Sequence, residues 1–146
     1  MLTIFKERPV HFSPFMEVAG CYLEHEGKIL FLLRAKDRLE GDCWGVPGGK
    51  LEKGEEPLDA AVRELHEEIG VEFKREAILY LLPLYVKKPF GEFVFHLLQV
   101  RLTEVPLIRL NDEHTAACWL EEKDLDILPM VLGGKEAYLI YLQNKR

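Results

Sequence analysis

Residues 57–70 read PLDAAVRELHEEIG, and this stretch constrains the fold more than any other. Leu58, Ala61, Val62, Leu65 and Ile69 recur at helical spacing and form one apolar stripe. Pro57 suits the first turn, where a missing N–H costs nothing, and Gly70 suits the left-handed position just past the end. A helix that is apolar along one stripe needs a second layer to cover it. The flanking sequence offers strands for that layer. Glu17 to Glu24 and Lys28 to Arg34 read as a hairpin around the turn Glu26-Gly27. Ala77 to Val86 and Phe93 to Leu102 read as further strands, separated by a Lys-Lys-Pro-Phe-Gly loop. Ala117 to Leu120 reads as a short strand and Glu122 to Leu128 as a helical turn ended by Pro129. Gly134 to Asn144 reads as a C-terminal helix. Strands, helix, strands, helix give a mixed α/β domain of the α+β kind, and not a regular parallel βαβ array.

A chain of 146 residues fits one domain, residues 1–146, large enough to bury a core without disulfides. The net charge is −6, which argues against general nucleic-acid binding or an anionic membrane surface. Cys21, Cys43 and Cys118 are widely spaced and match no zinc pattern, so a reduced, cytoplasmic setting is expected. Met1 to Phe12 lacks the pattern of a signal peptide. The longest apolar run, Ala77 to Val86, is too short to span a bilayer and contains Pro83.

Much of that negative charge is local. Residues 49–71 carry a net −4, so something positive should relieve it. Glu64, Glu67 and Glu68 are spaced i, i+3 and i+4, and fall within one arc of roughly 100° on the helix. The same geometry places that arc opposite the Leu58/Val62/Ile69 stripe. Like charges so placed repel, whereas a hard divalent cation that prefers oxygen ligands is suited by them; Mg²⁺ is first choice. Such an ion neutralises charge on phosphate oxygens and makes hydroxide available near neutral pH. Arg63 can hold a carboxylate in a bidentate fork. Gly48-Gly49 can bring backbone N–H groups close to an anion and bend the chain sharply. The surrounding loop, residues 35–56, is long for a compact domain, as functional loops are.

Gly49, Glu55, Arg63, Glu64, Leu65, Glu67, Glu68, Gly70 and Val71 fall on every fixed position of the pattern G-x5-E-x7-R-E-U-x-E-E-x-G-U, where U is bulky and apolar. The segment therefore resembles the Nudix box, with a chance of coincidence on the order of 10⁻⁹ per starting point. Trp44-Gly45-Val46-Pro47-Gly48 is similar to the stretch that leads into that box. The resemblance implies an α/β/α sandwich with a central mixed sheet. It also implies hydrolysis of a nucleoside diphosphate linked to some group X, with Mg²⁺ or Mn²⁺. Carried over by position, Glu64, Glu67 and Glu68 would hold metal, with one of them able to act as base. Arg63 would orient a glutamate, Glu55 would support the site, and Gly49 would shape the loop. Some relatives add a glutamate from a later loop, for which Glu113 is the candidate here.

Substrate contacts are expected from Phe90, with Lys87 and Lys88 in the same loop offering cations for phosphate. A (deoxy)nucleoside triphosphate, cleaved to a nucleoside monophosphate and pyrophosphate, is the expected substrate. Dinucleoside polyphosphates, nucleotide sugars and RNA 5′ ends are alternatives, as is a non-catalytic nucleotide-binding domain, although such domains typically lose box glutamates. A homodimer is compatible with the resemblance, and no membrane partner is expected.

Overall fold

The structure, a computed structural model, describes residues 1–146. The order of elements is β1 (Thr3–Phe5), β2 (Met16–His25), β3 (Lys28–Arg34), β4 (Trp44–Gly45), β5 (Gly48–Lys50), α1 (Pro57–Ile69), β6 (Leu79–Lys88), β7 (Gly91–Arg101), β8 (His114–Leu120) and α2 (Gly134–Asn144). Short 3₁₀ turns occupy Arg75–Ala77 and Glu122–Asp126.

Alternation along the strands decides which residues face which layer. Ala19, Cys21 and Leu23 of β2 pack with Leu98 and Val100 of β7 and with Ala61, Leu65 and Ile69 of α1. Tyr22 of β2, Leu97 of β7 and Phe31 of β3 belong to the opposite core, with Tyr138 and Tyr141 of α2. The two helices thus cover opposite faces of one sheet, the expected sandwich. The sheet runs β1-β6-β7-β2-β3-β4, with β5 added to β2 and β8 to β3. β2 and β7 are parallel from Met16↔Phe93 to Glu24↔Arg101, and the other named strand pairs are antiparallel.

Several sequence expectations shift. The β2–β3 hairpin is paired only at Glu24↔Ile29 and His25↔Lys28. Beyond that the strands splay, and β5 pairs with β2 at Val18, Ala19 and Gly20. Gly48 permits this: its φ is +150°, and a Cβ there would sit 1.9 Å from the Ala19 carbonyl oxygen. The expected strand over Ala77 to Val86 begins at Leu79 and runs to Lys88, so both lysines belong to the strand. The connecting turn shrinks to Pro89-Phe90, with Lys88 opposite Gly91. β8 starts at His114, three residues before the expected strand, and Glu113 immediately precedes it. No helix is long and apolar enough to cross a membrane.

Candidate active site

The box helix is built as its sequence implies. Pro57 occupies the first turn, and Gly70 closes the helix in the left-handed region at φ 71°, its N–H donating to the His66 carbonyl. Of the three glutamates, exposed Glu67 lies opposite the apolar stripe as expected, and Glu68 does not. Glu68 follows Ala61 by seven residues, roughly 20° around the helix, so it is carried beside the core. It is 5% exposed, whereas the Glu67 side chain is 51% exposed.

Burial forces Glu68 to find a donor. Gly48 N–H donates to Glu68 Oε1 at 2.8 Å, so the strained glycine of β5 is also the residue that holds this carboxylate. Gly49 approaches Glu64 as closely: a Cβ on it would lie 2.3 Å from Glu64 Cδ. Two adjacent glycines therefore seat two carboxylates.

Arg63 ties the loop to the helix. Its Nε and Nη2 donate to Glu55 Oε2 and Oε1 at 3.0 and 2.8 Å, a bidentate fork. Nη1 donates to Glu64 Oε1 at 2.7 Å and lies 3.6 Å from Glu67 Oε2. Nη2 also donates to the Lys50 carbonyl at 3.1 Å. The Arg63 hydrogen bonds hold the Glu55 carboxyl below the usual carboxylate range, and in return Glu55 raises the Arg63 pKa.

The remaining carboxylates are under opposite stress. Burial, with the charges of Glu64 and Glu113 adding to it, pushes Glu68 up to about 8 against the Gly48 hydrogen bond. Burial raises Glu64 too, and Glu67 and Glu113 add to it. The charge of Glu113 thus acts on both Glu64 and Glu68. Its backbone is held by Asn111 Oδ1 at 3.0 Å and by Ala35 N–H, which donates to its carbonyl at 2.8 Å.

This donor set is carboxylate oxygen, with Glu68 buried and one guanidinium shared between Glu64 and Glu67, and it fits a hard divalent cation. No three acidic, His or Cys side chains are gathered into a ready cage, because Arg63 draws on both Glu64 and Glu67.

The other expected substrate residues divide. Phe90 and Lys88 line an apolar cavity of about 260 Å³ on the α2 face of the sheet. Lys87 is not among the lining residues; its Nζ is 3.4 Å from Glu92 Oε2 and lies over Phe5. Alternation explains the split, since neighbouring strand residues point to opposite faces. Sequence reasoning missed Arg34, which lines the same cavity and whose charge reaches Glu68. Its place is set by long-range pairing of β3 with β8, for which the local sequence carries no signal.

The NUDIX domain family model matches residues 14–139. This chain belongs to the NUDIX family. Divalent-metal dependence is general in that family. An ADP-ribose pyrophosphatase of Bacillus subtilis is 34% identical over 135 residues, covering 88% of this chain and 72% of that protein. A methanol dehydrogenase activator of Bacillus methanolicus is 30% identical over 129 residues; the match covers 88% of this chain but only 63% of the activator. The crystal structure of a MutT NUDIX hydrolase from Burkholderia pseudomallei superposes with a TM-score of 0.70 at 26% identity, covering 84% of this chain and 94% of that one. The NUDIX chain has the mixed sheet and two-helix cover of those neighbours.

Proposed function

We propose that this chain is a Mg²⁺-dependent pyrophosphohydrolase that uses water to split the phosphoanhydride bond of a nucleoside diphosphate derivative. The observation that carries the reading is the cluster itself: buried Glu68 held by the Gly48 N–H, half-buried Glu64 held by Arg63, and the charge of Glu113 raising the pKa of both. Glu64, Glu67, Glu68 and Glu113 are assigned to hold the ion; Mn²⁺ has similar ligand preferences. When bound, the ion neutralises charge on the phosphate oxygens and acidifies water.

The chain's own residues supply order. Glu55 fixes Arg63, and Arg63 fixes one oxygen of Glu64. Gly48 N–H fixes one oxygen of Glu68. Each of these carboxylates keeps a second oxygen with no protein donor, for the ion or for a proton from the attacking water. Holding such groups in place before substrate arrives removes reorganisation from the reaction itself. Phe90 and Lys88 are assigned to the organic part of the substrate, a role supported by the cavity that both line.

A (deoxy)nucleoside triphosphate, giving a nucleoside monophosphate and pyrophosphate, is the first substrate to test. ADP-ribose is the second, on the strength of the Bacillus subtilis relative. A panel of nucleoside triphosphates, ADP-ribose, dinucleoside polyphosphates and nucleotide sugars, assayed with Mg²⁺ and with every product identified, decides between them. Turnover confined to one class names the substrate. Failure with all of them, in Mg²⁺ and in Mn²⁺, overturns the small-nucleotide reading and favours an RNA 5′ end as substrate or a nucleotide-binding domain.

A further inference from the structure

One cluster of titratable side chains lies outside the carboxylate site and has no part in the reaction described so far. Glu17 of β2, His96 of β7 and Tyr80 of β6 form a chain across three adjacent strands. His96 Nε2 is 2.6 Å from Glu17 Oε1, and His96 Nδ1 is 2.7 Å from the Tyr80 hydroxyl oxygen. A carboxylate can only accept, so Nε2 carries the proton, and in the neutral ring Nδ1 accepts from the Tyr80 O–H. His96 is only 8% exposed, so both ring nitrogens need a partner, and both have one. The Glu17 side chain is 50% exposed. Water is within its reach, yet one carboxylate oxygen is turned inward onto the imidazole.

The backbone of Glu17 leads to the carboxylate site. Its carbonyl accepts from Leu51 N–H at 2.9 Å. The next three residues carry β5: Val18 pairs with Lys50, Ala19 with Gly49 and Gly20 with Gly48. β5 pairs with β2 alone, so β2 sets its register. On that register depend the close seat of Glu64 on Gly49, the Gly48 N–H on Glu68 and the Lys50 carbonyl on Arg63. β7 holds the other edge of β2, and His96 stands opposite Ala19, in one row with Gly49. The start of β2 is thus held to β7 twice, by the ladder and by the Glu17–His96 bond. At the other end of the chain, β6 carries a bulge between Tyr80 and Leu82, and the Tyr80–His96 bond crosses that break in the ladder.

We propose that Glu17, His96 and Tyr80 are positioning residues: they lock the start of β2 against β7, and through β2 the register of β5 that presents Gly48 and Gly49 to the carboxylates. The inference rests on the pyrophosphohydrolase site proposed above and adds to it three residues that act through β5 and not on the substrate. A three-residue strand bonded along one edge is displaced more easily than one paired on both, so its single neighbour must be held still. A displacement of about 1 Å at a reacting centre costs on the order of 10²-fold in rate, so a part of that movement in the two glycines is felt in turnover. The organic part of the substrate, held by other elements, binds as before.

The test pairs Glu17→Ala, which removes the bond to His96, with Glu17→Gln, whose amide oxygen can still accept from Nε2–H. Steady-state kinetics on the best panel substrate across a Mg²⁺ titration reads the site, and amide hydrogen exchange reads the lock. In Glu17→Ala, kcat should fall about tenfold and the Mg²⁺ concentration giving half-maximal rate should rise, with the substrate KM within about twofold of wild type. Leu51 N–H should lose about tenfold or more of its protection, while Leu102 N–H, which donates to the Glu24 carbonyl at the far end of β2, keeps its own. Glu17→Gln should match the wild type in every one of these readings. His96→Phe should repeat the Glu17→Ala pattern, and thermal melts check that each variant is folded. Unchanged kcat in Glu17→Ala overturns the inference whether or not Leu51 exchanges faster, and so does a Glu17→Gln variant as impaired as Glu17→Ala. If the wild type turns over nothing in the panel, the small-nucleotide reading falls and the lock is judged by Leu51 exchange and by Mn²⁺ affinity from electron paramagnetic resonance. Loss of both in Glu17→Ala supports the lock, and either one unchanged overturns it.

Discussion

Gly49→Ala separates catalytic geometry from folding. The added Cβ would sit 2.3 Å from Glu64 Cδ, and 2.5 and 2.7 Å from its two oxygens. Ordinary carbon–carbon contact needs about 3.5 Å, so the carboxylate must recede by about 1 Å. Gly49 is not among the positive-φ glycines, and the three nearest atoms all belong to the end of a flexible side chain. The unfolded chain also loses freedom when glycine becomes alanine, which stabilises by about 0.4–1 kcal/mol at a compatible site. The melting temperature should therefore stay level or rise by a few degrees. Turnover should not survive as well. A displacement of about 1 Å at a reacting centre costs on the order of 10²-fold, equivalent to about 2.7 kcal/mol of barrier. Steady-state kinetics on the best panel substrate, with a Mg²⁺ titration and a thermal melt on the same preparation, reads both quantities. A fold-intact variant with kcat within about threefold of wild type would refute the claim that Gly49 seats Glu64 for catalysis.

Gly48→Ala should behave in the opposite way. Its Cβ would meet the Ala19 backbone oxygen at 1.9 Å, and φ is +150°, so destabilisation should exceed about 3 kcal/mol and show in the melt before any kinetics. Arg63→Lys keeps the charge but loses the fork to Glu55, and kcat should fall at least tenfold with little change in KM, as measured by steady-state kinetics. Glu55 also makes a pH prediction. Its folded pKa is lowered, so the unfolded state binds more protons and stability rises with pH through this window. That contribution is present above the unfolded value, about 4.3, and is lost as pH falls through the lower folded value. Urea melts from pH 6 to pH 3 should show wild type losing more stability over that range than Glu55→Gln; parallel curves would refute it.

What could be read from the sequence follows the range of the interactions. The helix was legible to the residue because its stops are local: Pro57 at one end, Gly70 at the other. The carboxylate spacing was legible for the same reason. Their surroundings were not. The helical wheel set the glutamate arc opposite the Leu58/Val62/Ile69 stripe, although Glu68 lies only about 20° from Ala61. Its burial is set by β5 crossing to β2, a pairing Gly48 permits but does not announce. The parallel pairing of β2 with β7 joins residues more than seventy positions apart and leaves no local trace. Lys87 looked equivalent to Lys88 while both were placed in a loop, and strand alternation separates them. The α2-face cavity and Arg34 emerge only once β2, β3, β7 and α2 are assembled.

The central claim is that buried box carboxylates bind a divalent ion and drive hydrolysis of a pyrophosphate bond. Glu68→Gln tests it most directly, because the amide oxygen can still accept the Gly48 N–H while the charge is removed. Mg²⁺-dependent turnover of the best panel substrate should fall by at least 10²-fold, with the melting temperature held or raised by relief of a buried charge. Equal Mg²⁺-dependent turnover in wild type and Glu68→Gln would contradict it.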